Sequence, residues 1–389
     1  MKIKSIRQVK KLAGKRVMLR ADFNVPMERG RVADDYKIVA GLPTIRFLLR
    51  YNCKIIIITH LGRPEGRIEK KYSLAPVARH LGKLLDKKVN FADDCVGLKS
   101  GTAVGKMKPG EILMLENLRF SKGEGKNDKK FARQLAGLAD VYVNDAFANS
   151  HRRHASMSAI KKYLPSYAGL LLPEEVENLN KIFHPRPPLV AVIGGAKIGT
   201  KISFLKKISR KSFKVLIGGA LANNFFASRG MEIGQSLVDK ESIKLAGRLK
   251  QKNILLPIDV VVSDKKDGGG PAEAKNIFKV NKNEKILDIG PKTIRLYSLF
   301  LKKAQTIIWN GPMGMFEKEH FKHGTLAIAR VIASRSRGRA FGVAGGGETI
   351  EALKMTGMEN YVDWISTGGG ATLAFLNGEP MPGLKGLVK

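Results

Sequence analysis

Residues that can bind anions follow short apolar runs in the first half of the chain. The four runs are Val17–Leu19, Ile55–Thr59, Ile112–Leu115 and Val141–Val143. The residues after the last three runs include three arginines and three histidines, namely His60, Arg63, Arg119, His151, Arg152 and His154. Arginine suits an anion because its planar fork binds a carboxylate or phosphate through two N–H groups. If the runs are strands that end at one sheet edge, these side chains form a cleft for a small polyanion.

The alternative for each arginine taken alone is a solvated surface charge. Repetition at consecutive strand ends favours the binding site over that alternative. A second alternative is that His151 and His154 bind a metal ion. The positive neighbours Arg152 and Arg153 argue against a cation at this place, so we favour the anion.

Glycine-rich turns follow the apolar runs of the second half. These runs are Leu189–Ile193, Lys214–Ile217, Thr306–Trp309, Ala340–Val343 and Tyr361–Ser366. The turns after them are Gly194–Lys201, Gly218–Ala220, Asn310–Gly314, Gly345–Thr349 and Gly368–Gly370. Glycine at a strand-to-helix turn lets backbone N–H groups approach a phosphate at a helix N-terminus. One such turn is ordinarily structural, whereas five in succession favour a nucleotide site.

The turn that begins at Gly194 carries two lysines. It fails the P-loop pattern, since Gly199 is followed by Thr200 and only then by Lys201. The Gly-x-Gly-x-x-Gly spacing of dinucleotide-binding folds is also absent. Lys197 and Lys201 are four residues apart, so a helix places both on one face near its positive end. The spacing predicts that both lysines bind phosphate. The glycines 268–270 are predicted to form a flexible loop.

Strands and helices that alternate along the chain position these residues. The runs are continuously apolar, which is typical of parallel strands buried on both faces, and amphipathic stretches such as Ile45–Leu49 and Phe131–Leu138 separate them. A further run of the same kind is Ile258–Val262. The pattern predicts an α/β protein with parallel sheets covered by helices. A helix-like stretch, Pro173–Phe183, precedes a proline-rich break and divides the chain into two lobes.

Composition excludes several classes of protein. The chain has 389 residues, of which 43% are hydrophobic, so it is neither disordered nor a small disulfide-stapled scaffold. Its two cysteines are too few for a disulfide framework or a zinc site. No apolar run approaches the roughly 20 residues that span a bilayer. The net charge of +35 suggests a nucleic-acid or membrane binder, but the lysines are scattered and lack interleaved aromatic side chains. We therefore favour a basic enzyme surface.

Taken together and in this order, the motifs resemble those of phosphoglycerate kinase over essentially the whole chain. The matching segments are Arg20–Pro26, His60–Pro64, Glu116–Phe120, Asn144–His154, Gly194–Lys201, Trp309–Phe316, Gly345–Thr349 and Ser366–Thr372. The resemblance implies two Rossmann-like lobes with parallel sheets, joined by an interdomain helix and closing by a hinge motion. It implies a 3-phosphoglycerate-binding lobe over residues 1–170, a linking helix over 171–187 and a nucleotide-binding lobe over 188–376. The tail, about 377–389, is expected to return to the first lobe.

The implied reaction is reversible phosphoryl transfer from 1,3-bisphosphoglycerate to ADP, which gives 3-phosphoglycerate and ATP with Mg²⁺. By motif, the implied 3-phosphoglycerate ligands are Asp22, Asn24, Lys37, His60, Arg63, Arg119 and Arg152. The implied nucleotide ligands are Gly195, Lys197, Lys201, Gly219, Asn310, Pro312, Glu317, Gly346, Gly347, Glu348 and Thr349. The implied catalytic residues are Lys37, Arg152, Lys197, Gly346 and Gly369. Glu348 would meet Mg²⁺ through the metal–nucleotide complex.

Four departures from the family pattern stand out. The family usually has arginine at Lys37, aspartate at Glu348, aspartate at Thr200 and Gly-Thr at Ala148–Asn149. Lysine keeps the charge of arginine but loses its fork. Glutamate is one methylene longer than aspartate. Because every other motif is retained, we expect a divergent member that keeps the activity.

The implied chemistry needs no strong general base, since the attacking carboxylate is already ionised near neutrality. The protein must align the reactants and neutralise the moving phosphoryl group. The alternatives are another two-lobed kinase acting on a small carboxylate, and a basic ligand- or nucleic-acid-binding protein that has lost the chemistry. We expect a cytoplasmic monomer with small-molecule substrates and without a specific nucleic-acid or membrane partner.

Overall fold

A computed structural model gives the fold and describes residues 3–196, 198–265 and 270–388. The chain divides into two units. Unit 1 comprises Met1–Glu177 together with Glu379–Lys389, and unit 2 comprises Asn178–Gly378. Each unit contains one six-stranded parallel sheet, and the α/β class predicted from the sequence is confirmed. None of the helices in the described ranges has the length and hydrophobicity needed to cross a bilayer.

The sheet of unit 1 positions the predicted anion ligands. The strands of the unit are β1 (Arg16–Arg20), β2 (Met27–Glu28), β3 (Arg31–Val32), β4 (Lys54–Ile58), β5 (Val89–Ala92), β6 (Ile112–Leu115), β7 (Val141–Asn144) and β8 (Ser166–Ala168). The sheet has the order β5-β6-β4-β1-β7-β8, and β2 and β3 form a separate hairpin. The strands β1, β4, β6 and β7 are fully or almost fully buried, as their apolar runs predicted.

Helices cover both faces of this sheet. They are α1 (Tyr36–Arg50), α2 (Ala75–Leu85), α3 (Leu98–Lys106), α4 (Lys122–Gly125) and α5 (Lys129–Ala136). Two apolar clusters lie on the two faces; the larger contains Val17, Leu19 and Ile45, and the other contains Met18 and Phe131. Alternate residues of β1 therefore point to opposite cores, which explains why its sequence is continuously apolar. These cores hold the strand ends rigidly beneath the site.

Helix α6 (Leu171–Asn180) begins in unit 1 and ends in unit 2. Its start is fixed by Asp145, which accepts hydrogen bonds from the Leu172 backbone N–H at 3.0 Å and from the Thr44 hydroxyl. The helix ends three residues before Phe183, where the sequence placed its end. The division between the units falls within this helix, after Glu177.

The parallel sheet of unit 2 has the order β11-β10-β9-β15-β16-β17. The strands of the unit are β9 (Leu189–Ile193), β10 (Lys214–Ile217), β11 (Ile254–Leu255), β12 (Asp259–Ser263), β13 (Glu273–Asn276), β14 (Lys285–Ile289), β15 (Thr306–Asn310), β16 (Phe341–Gly345) and β17 (Trp364–Ser366). The helices are α7 (Ile198–Ile208), α8 (Gly219–Ser228), α9 (Lys240–Arg248), α10 (Pro291–Lys303), α11 (His323–Arg335), α12 (Gly347–Thr356) and α13 (Gly370–Leu376). The core beneath this sheet includes Trp309, Tyr297 and Ile328.

Three strands of unit 2 lie outside its parallel sheet and form a sheet of their own. The run Ile258–Val262 was expected to be a parallel strand, but β12 is the centre of an antiparallel sheet with the order β13-β12-β14. The expectation was wrong because β12 is buried at four of its five positions. Burial alone gives an antiparallel strand the same continuous apolar sequence as a parallel one.

Residues 379–388 return to unit 1 and complete its edge. The Lys4 backbone N–H donates to the Leu387 carbonyl at 2.7 Å, and Ile3 and Val388 form an antiparallel bridge. Leu384 and Leu387 are buried in the unit. The N-terminal segment lies beside β8, where the Lys4 carbonyl accepts a hydrogen bond from the Ala168 N–H at 2.8 Å.

Candidate active site

Four neighbouring strands of unit 1 deliver the anion-binding residues to one edge. The strands β6, β4, β1 and β7 are adjacent and parallel, so their carboxyl ends lie side by side. The register aligns Arg20 with Ile58 and with Asn144. The segments that leave these ends carry the residues that the sequence predicted as anion ligands. The sheet therefore brings them to one edge.

Asp22, at the end of β1, is the centre of a group of polar contacts. Its Oδ2 lies 2.7 Å from the Lys37 Nζ, and its Oδ1 accepts a hydrogen bond from the Asn149 Nδ2 at 3.1 Å. The Asp22 Oδ1 is also 3.9 Å from the His60 Nδ1. Burial is the largest effect and opposes ionisation, but the charges of Lys37 and Arg20 and the hydrogen bond from Lys37 together outweigh it and lower the pKa of Asp22 far below its usual range. Asp22 is therefore a carboxylate at neutral pH.

His60 is held neutral beside a buried arginine. Arg20 is only 1% exposed and donates from Nε to the Ser156 Oγ at 3.0 Å. Its Nη2 lies 3.4 Å from the His60 Nδ1. Burial, followed by the charge of Arg20, lowers the pKa of His60 well below the ordinary value. The Nδ1 atom is thus an acceptor for Arg20, which leaves Nε2 as the proton donor of the ring. Sequence reasoning did not select Arg20, although an arginine inside an apolar strand is itself a signal.

Three arginines line a cavity of about 390 Å³ at this edge, together with Lys122 and Lys126. These arginines are Arg63, Arg119 and Arg152. The Arg119 Nη1 donates to the Gly62 carbonyl at 2.6 Å, while its Nη2 is buried without a hydrogen-bond partner among the described residues. Burial, and next the charge of Arg152, lowers the pKa of Arg119 to about 10. A group of cations with a buried unused donor is matched by an anion.

His154 also lines this cavity, where the neighbouring arginines would repel a metal ion. Burial, followed by the charge of Arg119, lowers the pKa of His154 to about 4. Within the described residues no group of three His, Cys, Asp or Glu side chains could hold a metal ion. The positive charge around this cavity agrees with the preference for an anion over a metal ion near His151 and His154.

Asn24 and Asn149 organise the loops around the site. The Asn24 Oδ1 accepts a hydrogen bond from the Gly62 N–H at 2.8 Å, which fixes the turn between His60 and Arg63. Asn149 is 2% exposed and holds Asp22, as described above. The importance of Asn149 could not be read from its sequence neighbours, because its partner is 127 positions away.

The glycine turns of unit 2 likewise meet at one sheet edge. They follow β10, β9, β15, β16 and β17, which are consecutive in the sheet. The loops pack so closely that a Cβ on Gly219, whose φ is +59°, would lie 2.6 Å from the Gly195 nitrogen. Gly346 has a φ of +104° immediately before α12. These two positions therefore require glycine. Gly369, with a φ of +52°, stands in the same way before α13.

A cavity of about 560 Å³ opens beside these turns. Five predicted nucleotide ligands line it, namely Gly195, Gly219, Pro312, Glu317 and Glu348. Much of the rest of its lining is apolar and includes Leu237, Val260, Ile286, Ile289 and Met313. A cavity with an apolar side next to the starts of α8 and α12 fits a flat base joined to phosphates.

The remaining predicted nucleotide ligands of the described chain do not line this cavity but lie in the turns or in the helices that follow them. The Asn310 Nδ2 donates to the Gly345 carbonyl at 2.7 Å, and the Thr349 Oγ1 accepts from the Gly311 N–H at 2.7 Å. Both side chains therefore hold adjacent loops together. Gly347 begins α12, and Lys201 is buried on α7 with its ammonium donating to the Gly194 carbonyl. Lys197 lies outside the described residues, as do glycines 268 and 269 of the predicted flexible loop.

Asp288 is a buried carboxyl in the wall of the same cavity that sequence reasoning missed. It accepts hydrogen bonds from the backbone N–H groups of Ile289 at 2.8 Å and Gly324 at 2.7 Å. Burial raises the pKa of Asp288 to about 7. An acidic residue inside the apolar run of β14 was the available signal.

The comparisons with known proteins agree with this geometry. The family model described as phosphoglycerate kinase matches residues 6–379. The chain belongs to the phosphoglycerate kinase family. It is accordingly a phosphotransferase with a carboxyl group as acceptor, and both the family resemblance and the function predicted from the sequence are confirmed.

Relatives and solved structures match the chain over nearly its whole length. It is 45% identical to phosphoglycerate kinase from Pelotomaculum thermopropionicum over 392 residues, covering 99% of each protein. It is also 45% identical to phosphoglycerate kinase from Moorella thermoacetica, with 97% of each covered. The structure of phosphoglycerate kinase from Coxiella burnetii superposes with a TM-score of 0.85 at 39% identity, over 99% of this chain and 98% of that one.

Two departures from the phosphoglycerate kinase pattern meet at one carboxylate. Lys37 and Asn149 contact different oxygens of Asp22. A third, Glu348, lies in the first turn of α12 with its carboxylate beside Gly195. The fourth, Thr200, belongs to α7.

Proposed function

We propose that the cavity of unit 1 binds 3-phosphoglycerate and the cavity of unit 2 binds the adenine nucleotide, for reversible transfer between 1,3-bisphosphoglycerate and ADP. The observation that carries this assignment is the buried Nη2 of Arg119, which lies near Arg63 and Arg152 and has no hydrogen-bond partner in the part of the chain that the structure describes. A buried donor without an acceptor destabilises the folded protein, and a ligand that supplies an acceptor removes this cost. A phosphate or carboxylate supplies acceptors and also neutralises the three like charges.

Each side chain of unit 1 has a role in this proposal. Arg63, Arg119 and Arg152 bind the charged ends of 3-phosphoglycerate through N–H groups. Asp22 is ionised and can accept a hydrogen bond from the substrate hydroxyl, while the neutral His60 donates from Nε2. Asn24 keeps the turn after His60 in place. Lys37 and Arg152 supply positive charge to the transferring phosphoryl group.

In unit 2 we assign the apolar wall of the cavity to the base and the glycine turns to the phosphates. Glu317 lines the same cavity and would contact the sugar, whereas Asn310 acts through the turn it holds. Backbone N–H groups near Gly346, Gly347 and Gly369, at the starts of α12 and α13, would donate hydrogen bonds to the phosphates. Lys197 and Lys201 are proposed as further phosphate ligands from their spacing.

The site also fits a magnesium ion carried by the nucleotide. Mg²⁺ is usually bound by one or two carboxylates together with substrate phosphates. Glu348 offers one carboxylate at the edge of the cavity, next to the glycine turns. When bound, the ion would neutralise phosphate charge. Glu348 is the residue of this chain that would hold it.

The protein's task in the reaction is positioning and charge neutralisation. The acceptor carboxylate of 3-phosphoglycerate is already ionised at neutral pH, so no proton needs to be removed from it. Cationic side chains and N–H groups stabilise the phosphoryl group as it moves. Transfer also requires the two ligands to meet and water to be excluded, which the hinge motion expected from the sequence would provide.

The test is a coupled assay for ATP formation from ADP and 1,3-bisphosphoglycerate, together with the reverse reaction from ATP. In the reverse direction, 3-phosphoglycerate and acetate are compared as acceptors. We expect turnover with 3-phosphoglycerate and essentially none with acetate, because acetate lacks the phosphate that the arginines bind. Equal use of acetate, or no transfer in either direction, would overturn the assignment.

We propose further that the protein acts as a monomer in the cytoplasm and has no specific nucleic-acid or membrane partner. Its charge of +35 will nonetheless attract polyanions. Light scattering measures the mass in solution. Binding to duplex DNA at 50 and 200 mM salt should be weak and fall steeply with salt. A sequence-selective nanomolar complex at 200 mM salt would contradict this.

A further inference from the structure

The Lys161 side chain donates hydrogen bonds to three backbone carbonyls of the C-terminal tail. Its Nζ donates to Pro382 O at 2.6 Å, to Gly383 O at 3.2 Å and to Lys385 O at 2.7 Å. An ammonium group has three N–H donors, so every donor is used on this one segment. Burial, and then the charge of Lys385, lowers the pKa of Lys161 to about 8. The side chain is partly withdrawn from water to make these bonds.

The segment held by Lys161 rests directly on the loop at the end of β7. The Gly383 N–H donates to the Ser150 carbonyl at 2.8 Å, and the Gly383 carbonyl also accepts from the Asn144 Nδ2 at 3.1 Å. A Cβ added to Gly383 would lie 2.7 Å from the Cα, Cβ and Oγ of Ser150. Ser150 is fully buried. No side chain larger than that of glycine fits between the tail and this loop without displacing one of them.

That loop carries two groups of the anion site. Asn149, next to Ser150, donates to Asp22 at 3.1 Å, and the Arg152 N–H donates to the Asn149 carbonyl at 2.9 Å. The position of Ser150 therefore sets where the Asn149 amide and the Arg152 backbone lie. Lys161 itself contacts neither Asp22 nor Arg152 among the interactions of the described residues. Its effect on the site must pass through the tail and Ser150.

We propose that Lys161 is a positioning residue for 3-phosphoglycerate binding, because it clamps the tail onto the loop that holds Asp22 and Arg152. This inference rests on the proposed assignment of the substrate to unit 1. Loosening the clamp should raise the KM for 3-phosphoglycerate and leave the nucleotide site of unit 2 unchanged. A contribution only to overall stability would not discriminate between the two substrates.

The test replaces Lys161 with Met, which has a similar length but no N–H donors. The matched control is Lys162→Met, because Lys162 is exposed and makes no hydrogen bond or ion pair within the described chain. We expect Lys161→Met to raise the KM for 3-phosphoglycerate by about 2- to 30-fold, the usual range for residues that couple to a site indirectly. The KM for ATP should stay within about twofold of the control, and Lys161→Arg, which keeps the charge and N–H donors on a planar fork, should restore part of the loss.

Two further measurements strengthen the design. Gly383→Ala, which forces the tail away from Ser150, should reproduce the effect if Lys161→Met does not fold. Calorimetric titration with 3-phosphoglycerate reports binding without turnover. In a double-mutant cycle, Asn149→Ala and Lys161→Met should cost less together than the sum of their separate effects, because both act through the same loop.

Each outcome decides the matter. A selective rise in the KM for 3-phosphoglycerate that arginine rescues supports the clamp. The proposal is overturned if Lys161→Met and Lys162→Met have the same KM for 3-phosphoglycerate. It is also overturned if Lys161→Met raises the KM for 3-phosphoglycerate and the KM for ATP equally. If wild-type protein neither turns over nor binds 3-phosphoglycerate, the assignment of the substrate fails instead. The clamp and that assignment therefore fail by different observations.

Discussion

Replacing Arg119 with alanine tests whether the buried guanidinium of this residue binds the anion in the cavity of unit 1. The variant removes the buried Nη2 donor, which has no partner among the described residues, and breaks the 2.6 Å hydrogen bond to Gly62. A hydrogen bond to a charged group contributes about 1.5–3 kcal/mol, which corresponds to roughly 10- to 150-fold in Kd. Burial, and next the charge of Arg152, lowers the pKa of Arg119, so the variant also relieves repulsion within the folded protein. Because Arg63 and Arg152 remain in the cavity and still attract the anion, we expect the lower part of this range, about tenfold weaker 3-phosphoglycerate binding.

Calorimetric titration of the two ligands measures this prediction. ADP binding should change by less than about twofold, because the cavity that we assign to the nucleotide lies in unit 2. Arg119→Lys is the matched control: it keeps the charge but cannot hold Gly62 and the ligand with a planar fork, so its affinity should be intermediate. Thermal unfolding should show little loss of stability, since relief of repulsion offsets the lost hydrogen bond to Gly62.

Two results would refute the reasoning. Equal weakening of 3-phosphoglycerate and ADP would show that Arg119 does not belong to a site for one ligand. Wild-type affinity in Arg119→Ala would show that the buried donor is satisfied by something other than the substrate. In either case the assignment of the cavity in unit 1 would have to be abandoned.

Three other changes give separate tests. Burial raises the pKa of Asp145 to about 7. Between about pH 4 and 7 the carboxyl therefore keeps its proton in the folded protein and loses it in the unfolded chain. The free energy of unfolding falls as the pH rises through this interval. The free energy of unfolding of Asp145→Asn, measured in urea, should therefore rise relative to that of wild type by more than about 1 kcal/mol as the pH increases over that interval. If the free energies of unfolding of the two proteins change with pH in parallel, the prediction is contradicted. Lys37→Arg should keep kcat within about tenfold, because arginine can also pair with Asp22; a loss of several orders of magnitude in steady-state turnover would exclude this. Lys197→Ala should lower kcat by about 10²–10³-fold with little change in ADP affinity, the scale for one preorganised donor; loss of ADP affinity alone would remove Lys197 from the catalytic residues.

Sequence periodicity predicted the parts of the fold in which local pattern and burial coincide. The runs that became β1, β4, β6 and β7 were predicted within a residue or two, because a strand covered on both faces must be apolar throughout. Their adjacency followed once the polar residues at their ends were taken as one site. The antiparallel role of β12 could not be predicted, since burial determines its composition and strand direction does not.

The candidate site was predicted for residues whose chemistry is unusual in itself. Arginine at a strand end or glycine in a turn is visible locally, as with Arg119 and Gly219. The contacts of Asn149 and Lys161 could not be predicted, because their partners Asp22 and Pro382 are far away in the chain. Lys161 and Lys162 are neighbours of the same type, and only the position of the tail distinguishes them.

The chain enters unit 2 after Glu177 and returns to unit 1 at Glu379, so all of unit 2 is synthesised before unit 1 can be completed. During translation the loop at Ser150 emerges long before the Gly383 segment that covers it. Unit 1 therefore keeps buried surface such as the Leu387 contact open until the tail has been synthesised. The edge of unit 1 is thus completed by the last residues of the chain, although most of the unit was made before unit 2.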